Sequence, residues 1–107
     1  MSVLDSRAAV RALSTTAPKL AELSAQVLYG DIWQRPGLSP RDRSLITVAA
    51  LLALYRPGQL PGHLQLALDN GVQREELSEL ITHLAFYAGW PAAASAAEAL
   101  AAIAPSS

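Results

Sequence analysis

Cysteine is absent from this sequence of 107 residues, and histidine occurs only twice. Without cysteine the chain has no disulfide bond, no thiolate metal ligand and no cysteine nucleophile. Two histidines cannot complete a closed structural zinc site without further ligands, so we expect no metal. The sequence also lacks a glycine-rich phosphate loop and a nucleophile elbow. Enzyme classes that depend on these elements are therefore excluded.

Charged residues are scarce, at 16% of the sequence with a net charge of −1. The basic residues are scattered apart from Arg41 and Arg43, so the chain has no patch suited to a nucleic acid. No apolar run approaches the roughly 20 residues of a membrane span. Asp5, Arg7 and Arg11 interrupt the N-terminal segment, unlike a signal peptide. We expect no nucleic-acid partner, no membrane partner and a cytoplasmic location.

Apolar residues make up 51% of the chain, which is high for a domain of this size. A small domain cannot bury so much apolar surface, and an exposed apolar patch usually marks a partner surface. We therefore expect a homo-oligomer. The alternative is that many of these residues are alanines, which tolerate exposure.

No segment alternates as a strand does, and proline and glycine separate segments with helical periodicity. The pattern predicts one all-α domain over residues 1–107, a bundle of about five to six helices. Ser39 is a natural N-cap, followed by Pro40 at the first helical position. The predicted helices span roughly Ser6–Ser14, Pro18–Gly30, Pro40–Tyr55, Pro61–Asn70, Arg74–Gly89 and Pro91–Ala104, before a frayed tail at residues 106–107.

His83 is one candidate for acid/base chemistry because histidine titrates near neutral pH. Glu79 precedes it by one helical turn and Tyr87 follows it by one turn, a spacing at which side chains face each other. The carboxylate could then orient the imidazole. The alternative is a solvated helix face with incidental neighbours.

His63 is the second candidate, near the start of a short helix after Pro61 and Gly62. A histidine beside an apolar stripe is more often a packing or surface residue than a catalyst. If both histidines act in catalysis, we expect them to converge on one enclosed pocket. If they serve binding or structure, we expect them to be scattered or exposed.

Arginines and tryptophans supply the candidate binding residues. Arg35, Arg41 and Arg43 cluster around one loop and helix start, where a guanidinium fork suits a small carboxylate substrate. The alternative is that Arg41 is solvated and Arg43 pairs with a neighbouring carboxylate. Trp33 and Trp90 lie in breaks between helices, where pockets form.

Four segments carry a family pattern over roughly residues 29–97. They are W-x-R-P-G-L-S-x-R-D-R-S-L from Trp33, His63 with Ala67 and the Asn70-Gly71 turn, Gly71-Val72 leading into Glu75-Glu76-Leu77, and H-L-A-F-Y-A-G-W-P-A-A from His83. Together they resemble the carboxymuconolactone decarboxylase family of small all-α proteins. That family includes cofactor-free decarboxylases and cysteine-dependent peroxidases.

The peroxidase branch places a Cys-x-x-Cys pair just before the histidine that corresponds to His63, and a glutamate about three helical turns earlier. This chain has Arg56 and Gln59 in place of the cysteines and Ser44 in place of the glutamate. A thiol peroxidase requires a thiolate, so the sequence excludes that branch.

The remaining resemblance is to 4-carboxymuconolactone decarboxylase, a lyase of aromatic catabolism that forms 3-oxoadipate enol-lactone and CO2 without a known cofactor. It implies that Arg43 or Arg35 anchors a carboxylate, that His63 or His83 handles a proton, and that Trp33, Tyr87 and Trp90 wall the pocket. It also implies a hexamer, or a smaller ring such as a trimer. A cofactor-free isomerase or cyclase on the same histidines stays open, as does a non-catalytic oligomer that binds a small acid.

Overall fold

The computed structural model describes residues 11–105, and every regular element in that range is helical. The elements are α1 (residues 11–16), α2 (Pro18–Leu23), α3 (Pro40–Ala53), α4 (Leu60–Asp69), α5 (Arg74–Ala88) and α6 (Trp90–Ala101). A π-helical segment, Ser24–Tyr29, extends α2, and a 3-10 turn, Ile32–Gln34, lies in the loop before α3. The prediction of an all-α bundle of five to six helices is confirmed.

The helix starts follow the capping chemistry of the sequence. The Ser39 hydroxyl accepts a hydrogen bond from the backbone N–H of Asp42 at 3.1 Å, and Pro40 occupies the first helical position of α3. At the start of α5, the Gln73 backbone N–H donates to Glu76 Oε1 at 2.8 Å in a capping box. These contacts satisfy N–H groups that a helix leaves free at its first turn.

The helix ends differ from the predicted bounds by a few residues. α6 ends at Ala101 rather than near residue 104, and the Arg74 guanidinium donates to the carbonyls of Leu100 and Ile103, both at 2.7 Å. These bonds hold the start of α5 against the end of α6. The part of the first predicted helix before residue 11 and the predicted tail at residues 106–107 lie outside the described residues, whereas residues 11–14 of that helix belong to α1.

α3 ends in a Schellman motif that places a tyrosine where glycine is usual. The backbone N–H of Arg56 donates to Leu51 at 2.9 Å, and that of Tyr55 donates to Leu52 at 3.1 Å. Tyr55 adopts a left-handed φ of 56°. The residue is 56% exposed. A left-handed conformation costs a non-glycine residue roughly 1–2 kcal/mol.

The core lies between α3, α4, α5 and α6. Its fully buried side chains include Val48, Leu52, Leu64 and Leu77, each at most 1% exposed. The small residues Ala92, Ala93 and Ala96 bury one face of α6. Most of the described hydrophobic burial therefore comes from the four helices after residue 39.

The α2 segment does not contribute to this core. Its apolar stripe of Leu20, Leu23, Val27 and Leu28 is 41–51% exposed, and neither α2 nor its π-helical extension contains a buried residue. The segment leads the chain into the loop that carries Trp33.

Candidate functional site

The loop between α2 and α3 positions an aromatic pair. Gly30 is required at its start because a Cβ there would lie 2.6 Å from the Gln26 carbonyl oxygen. The 3-10 turn then brings the Trp33 ring to 5.7 Å from the Tyr29 ring, in a stacked arrangement. Gln34 Nε2 donates to the Tyr29 carbonyl at 3.1 Å and closes the turn. Trp33 is thus held in place by its own loop.

Trp33 also contacts the candidate histidine His63. The Trp33 and His63 rings stack with centroids 6.5 Å apart and an interplanar angle of 29°. His63 lies in the first turn of α4 and is partly buried. Burial lowers the pKa of His63 below its ordinary value, so the imidazole is largely neutral at pH 7.

Arg43 attaches the same loop to α3. Its Nη2 donates to the Arg35 carbonyl at 3.1 Å, so the guanidinium lies beside the segment that carries Trp33. The Arg35 side chain is exposed and forms no ion pair with any residue that the structure describes. We name the set of Trp33, Arg35, Arg43 and His63 the Trp33 site. It joins one loop to two helices.

Two polar atoms of this site are buried without a partner. Arg43 Nε and His63 Nδ1 make no hydrogen bond in the described part of the chain. Buried polar groups in native proteins are nearly always hydrogen-bonded, so these two atoms are available to accept or donate a further hydrogen bond. A guanidinium N–H and a neutral imidazole both suit a carboxylate-bearing molecule.

Arg41 does not share this role. Its guanidinium forms an ion pair with Glu76, at the start of α5, and lies near Asp42. The pKa of Glu76 is lowered chiefly by its hydrogen bond from Arg41. The alternative from the sequence places Arg41 in solvent and pairs Arg43 with a carboxylate. The structure shows the opposite, because Arg41 has the carboxylate partners and Arg43 has none within residues 11–105.

His83 lies in a different environment, exposed on α5. Its ring is 4.9 Å from the Tyr87 ring and tilted by 36°, so these neighbours do meet across one helical turn. Glu79 forms no ion pair or hydrogen bond with His83 or with any other described residue. The Glu79 carboxylate, which we expected to orient the His83 imidazole, is therefore not bound to it.

An aromatic face surrounds His83 and continues into α6. Phe86, Tyr87 and Trp90 are 75%, 78% and 65% exposed, and the Phe86 and Trp90 rings meet edge to face at 5.4 Å. We name the set of His83, Phe86, Tyr87 and Trp90 the aromatic face. Monomeric soluble proteins rarely expose such a contiguous apolar patch.

The seven residues predicted for the site thus fall into two groups within one chain. The Trp33 loop contacts His63 through the Trp33 ring and Arg43 through the Arg35 carbonyl, whereas His83, Tyr87 and Trp90 share the exposed aromatic face. No ring contact or hydrogen bond between described residues joins the two histidines. Convergence of both histidines on an enclosed pocket is not observed in the single chain.

An open groove of about 430 Å³ between α5 and α6 contains none of these residues. Its cation, Arg74, already donates to two backbone carbonyls. The groove therefore offers no free cation for a carboxylate-bearing substrate, and the Trp33 site is the better candidate.

Two contributors to the site were missed by sequence reasoning. Tyr29 precedes Trp33 by four residues, but the helical segment ends at Tyr29, so no helical spacing predicts this ring contact. Ser44 is buried and accepts a hydrogen bond from Asn70 Nδ2 at 3.0 Å, which fixes the C-terminal end of α4 against α3. No pattern in the sequence signals that second contact, because the two residues lie on separate helices.

Neither a spanning helix nor a metal cluster occurs in the described part of the chain. No helix within residues 11–105 has both the length and the apolar character to cross a membrane. In the same range, no three side chains of histidine, aspartate or glutamate stand close enough together to hold a metal ion.

Comparison with known proteins adds a family assignment. A family model described as the carboxymuconolactone decarboxylase family matches residues 18–102. The chain is 52% identical over 64 residues to 4-carboxymuconolactone decarboxylase of Acinetobacter baylyi, covering 60% of this chain and 48% of that protein. It is 37% identical over 70 residues to nitrosuccinic acid decarboxylase of Metarhizium robertsii, covering 65% and 49%. The matched part spans about half the length of each relative.

Proposed function

Because the chain belongs to the carboxymuconolactone decarboxylase family, we propose that it is a cofactor-independent carboxy-lyase acting on a small carboxylated lactone or β-keto acid. The names of both relatives, a carboxymuconolactone decarboxylase and a nitrosuccinic acid decarboxylase, support loss of CO2 as the reaction. The observation that carries the proposal is the Trp33 site, where Arg43 Nε and His63 Nδ1 are buried without hydrogen-bond partners among residues 11–105.

Arg43 is the anchor in this proposal. Its Nε is buried without a partner among the described residues, and its Nη2 is fixed to the Arg35 carbonyl, so the guanidinium is held before a ligand arrives. A fixed guanidinium binds a retained carboxylate with little loss of side-chain freedom. Arg35, exposed beside it, is suited to draw an anionic substrate to the mouth of the site.

His63 stabilises the negative charge that develops during the reaction and takes part in proton transfer. Decarboxylation breaks the C–C bond to CO2 and leaves its electron pair on the carbon skeleton, delocalised onto an acceptor oxygen. A neutral imidazole can donate an N–H to that oxygen as the charge develops, and a proton must then return to carbon. Stacking on Trp33 at 6.5 Å fixes the ring for this task and limits access of water.

The test is an assay of the purified protein with 4-carboxymuconolactone and with nitrosuccinate, following substrate absorbance and released CO2 together. We expect release of CO2 in step with loss of one substrate. Loss of substrate without CO2 would favour an isomerase or cyclase. Tight binding without any turnover would favour a non-catalytic small-acid-binding protein. Either result would contradict the lyase proposal.

We also propose that the protein is a homo-oligomer, a hexamer built from dimers or trimers. The exposed stripe of α2 and the aromatic face support this, because both are apolar and unusually open for a chain of 107 residues. Light scattering at micromolar concentration should give a multiple of the chain mass. A mass near 11.3 kDa would contradict the proposal.

A further inference from the structure

The Trp33 site has one imidazole where the chemistry proposed for it can use two proton-handling groups. The His63 ring is stacked against Trp33, and burial lowers the pKa of His63 below its ordinary value. The described neighbours of this ring supply no carboxylate and no second histidine. The other histidine stands exposed on α5, held against Tyr87 but bound to nothing else in the described range.

Two apolar faces are exposed in the part of the chain that the structure describes. One is the aromatic face of His83, Phe86, Tyr87 and Trp90. The other, which we name the arm face, consists of exposed residues that lead directly to Trp33; its members are Leu20, Leu23, Val27, Leu28 and Ile32. Both faces lie on the same chain, so every copy carries both halves of a contact.

The charges at the edges of the two faces are complementary. The Arg35 guanidinium stands beside Trp33, and the Glu79 carboxylate stands one turn before His83 on α5. Neither forms an ion pair with any residue in the described part of its own chain. Opposite charges at matching edges favour one register of contact and oppose others.

We propose that the aromatic face of one copy packs against the arm face of a second copy, with Glu79 facing Arg35, so that His83 enters the second copy's Trp33 site. The occupant of the aromatic face is thus another copy of this chain. The contact is head to tail, because two different faces meet, and such contacts generate closed rings when the rotation closes.

The contact completes the site. His83, held by Tyr87, supplies the proton that returns to carbon, while His63 and Arg43 of the other copy hold the carboxylate and the developing charge. This role of His83 rests on the proposed function, whereas the packing of the two faces does not. The site of a dissociated chain would lack its second histidine.

The absence of cysteine allows a clean cross-linking test. A paired arginine and glutamate keep their Cβ atoms farther apart than the roughly 3.5–4.5 Å of a disulfide, so a short bis-maleimide is the suitable reagent. We expect the Arg35→Cys/Glu79→Cys double variant to give dimers and higher multiples on a denaturing gel. Each single variant should give little product. The matched control is Arg35→Cys/Glu98→Cys, since Glu98 is exposed on α6 outside both faces.

Charge reversal tests the same register without a reagent. Arg35→Glu and Glu79→Arg should each lower the mass found by light scattering, and the double reversal should restore it. Equal cross-linking in the Glu98 control, or a double reversal that stays dissociated, would overturn the proposed packing.

Subunit complementation then tests the shared site. His63→Ala and His83→Ala proteins, each of low activity, should recover activity when unfolded together and refolded as a mixture. Failure to recover activity in mixed oligomers, where each single variant is impaired, would overturn the contribution of His83 across the contact. Turnover absent from the wild-type protein would instead contradict the proposed function and leave the cross-linking result standing.

Discussion

Replacement of His63 by alanine should separate catalysis from stability. If the imidazole supplies a donor at the transition state, its removal costs about 10²–10⁴ in rate, or roughly 2.7–5.4 kcal/mol of activation free energy. The ring contacts only one other described aromatic side chain, Trp33, at 6.5 Å. The loss should therefore appear in turnover rather than in folding.

The expected change in stability is small because two effects have opposite signs. Loss of the stacked pair costs about 0.5–1.5 kcal/mol, whereas removal of the buried, unpartnered Nδ1 relieves a penalty of roughly 1–3 kcal/mol. The net change should therefore lie between a loss of about 0.5 kcal/mol and a gain of about 2.5 kcal/mol. For a domain near this size, 1 kcal/mol corresponds to about 4–8 °C in Tm.

The assay is initial turnover of 4-carboxymuconolactone, with circular dichroism and thermal unfolding of the same samples. Gln65→Ala is the matched control, since Gln65 lies on the same helix and hydrogen-bonds only within it, to Asp69. We expect Gln65→Ala to retain activity and His63→Ala to lose at least about a hundredfold. A folded, assembled His63→Ala protein that keeps activity within tenfold of wild type would refute the assignment and favour His83 or Arg43.

Three further predictions follow from described contacts. Arg43→Lys should lower kcat/KM about tenfold to a hundredfold, mainly through KM, because an ammonium lacks the guanidinium fork; steady-state kinetics check this. Burial lowers the pKa of His63, so its contribution to stability is present above the unfolded value of 6.5 and is lost as pH falls. Urea unfolding from pH 8 to pH 5 should show this loss in wild type but not in His63→Ala. Finally, hydroperoxide turnover with a thiol donor should not exceed background, because the chain has no cysteine.

The parts of the fold that could be predicted depend on neighbours in sequence. Ser39 and Pro40 set the start of α3 through contacts within four residues, and the chain begins that helix where the pattern predicts. The same holds for the turn at Gly71, whose φ of 97° suits glycine. Local chemistry is readable because the interacting groups are close along the chain.

The parts that could not be predicted depend on packing between distant segments. Arg41 and Arg43 are equivalent in a sequence motif, yet a rotation of roughly 200° between positions two apart sends one toward Glu76 on α5 and the other toward the loop. The separation of His63 from His83 is likewise set by how α4 and α5 pack on α3. Spacing along one helix carries no information about either arrangement.

Tyr55 has a consequence for the engineering of this protein. Its left-handed backbone disfavours most residues with a Cβ, but asparagine tolerates that conformation better than tyrosine because its short polar side chain can hydrogen-bond locally. Tyr55→Asn should therefore raise the free energy of unfolding without touching the Trp33 site. Variants of the Trp33 site that also carry Tyr55→Asn would tolerate more destabilising changes at Trp33. Most new substrates would require such changes. The stability that would allow new substitutions in this chain can thus be gained at one strained turn rather than in its core.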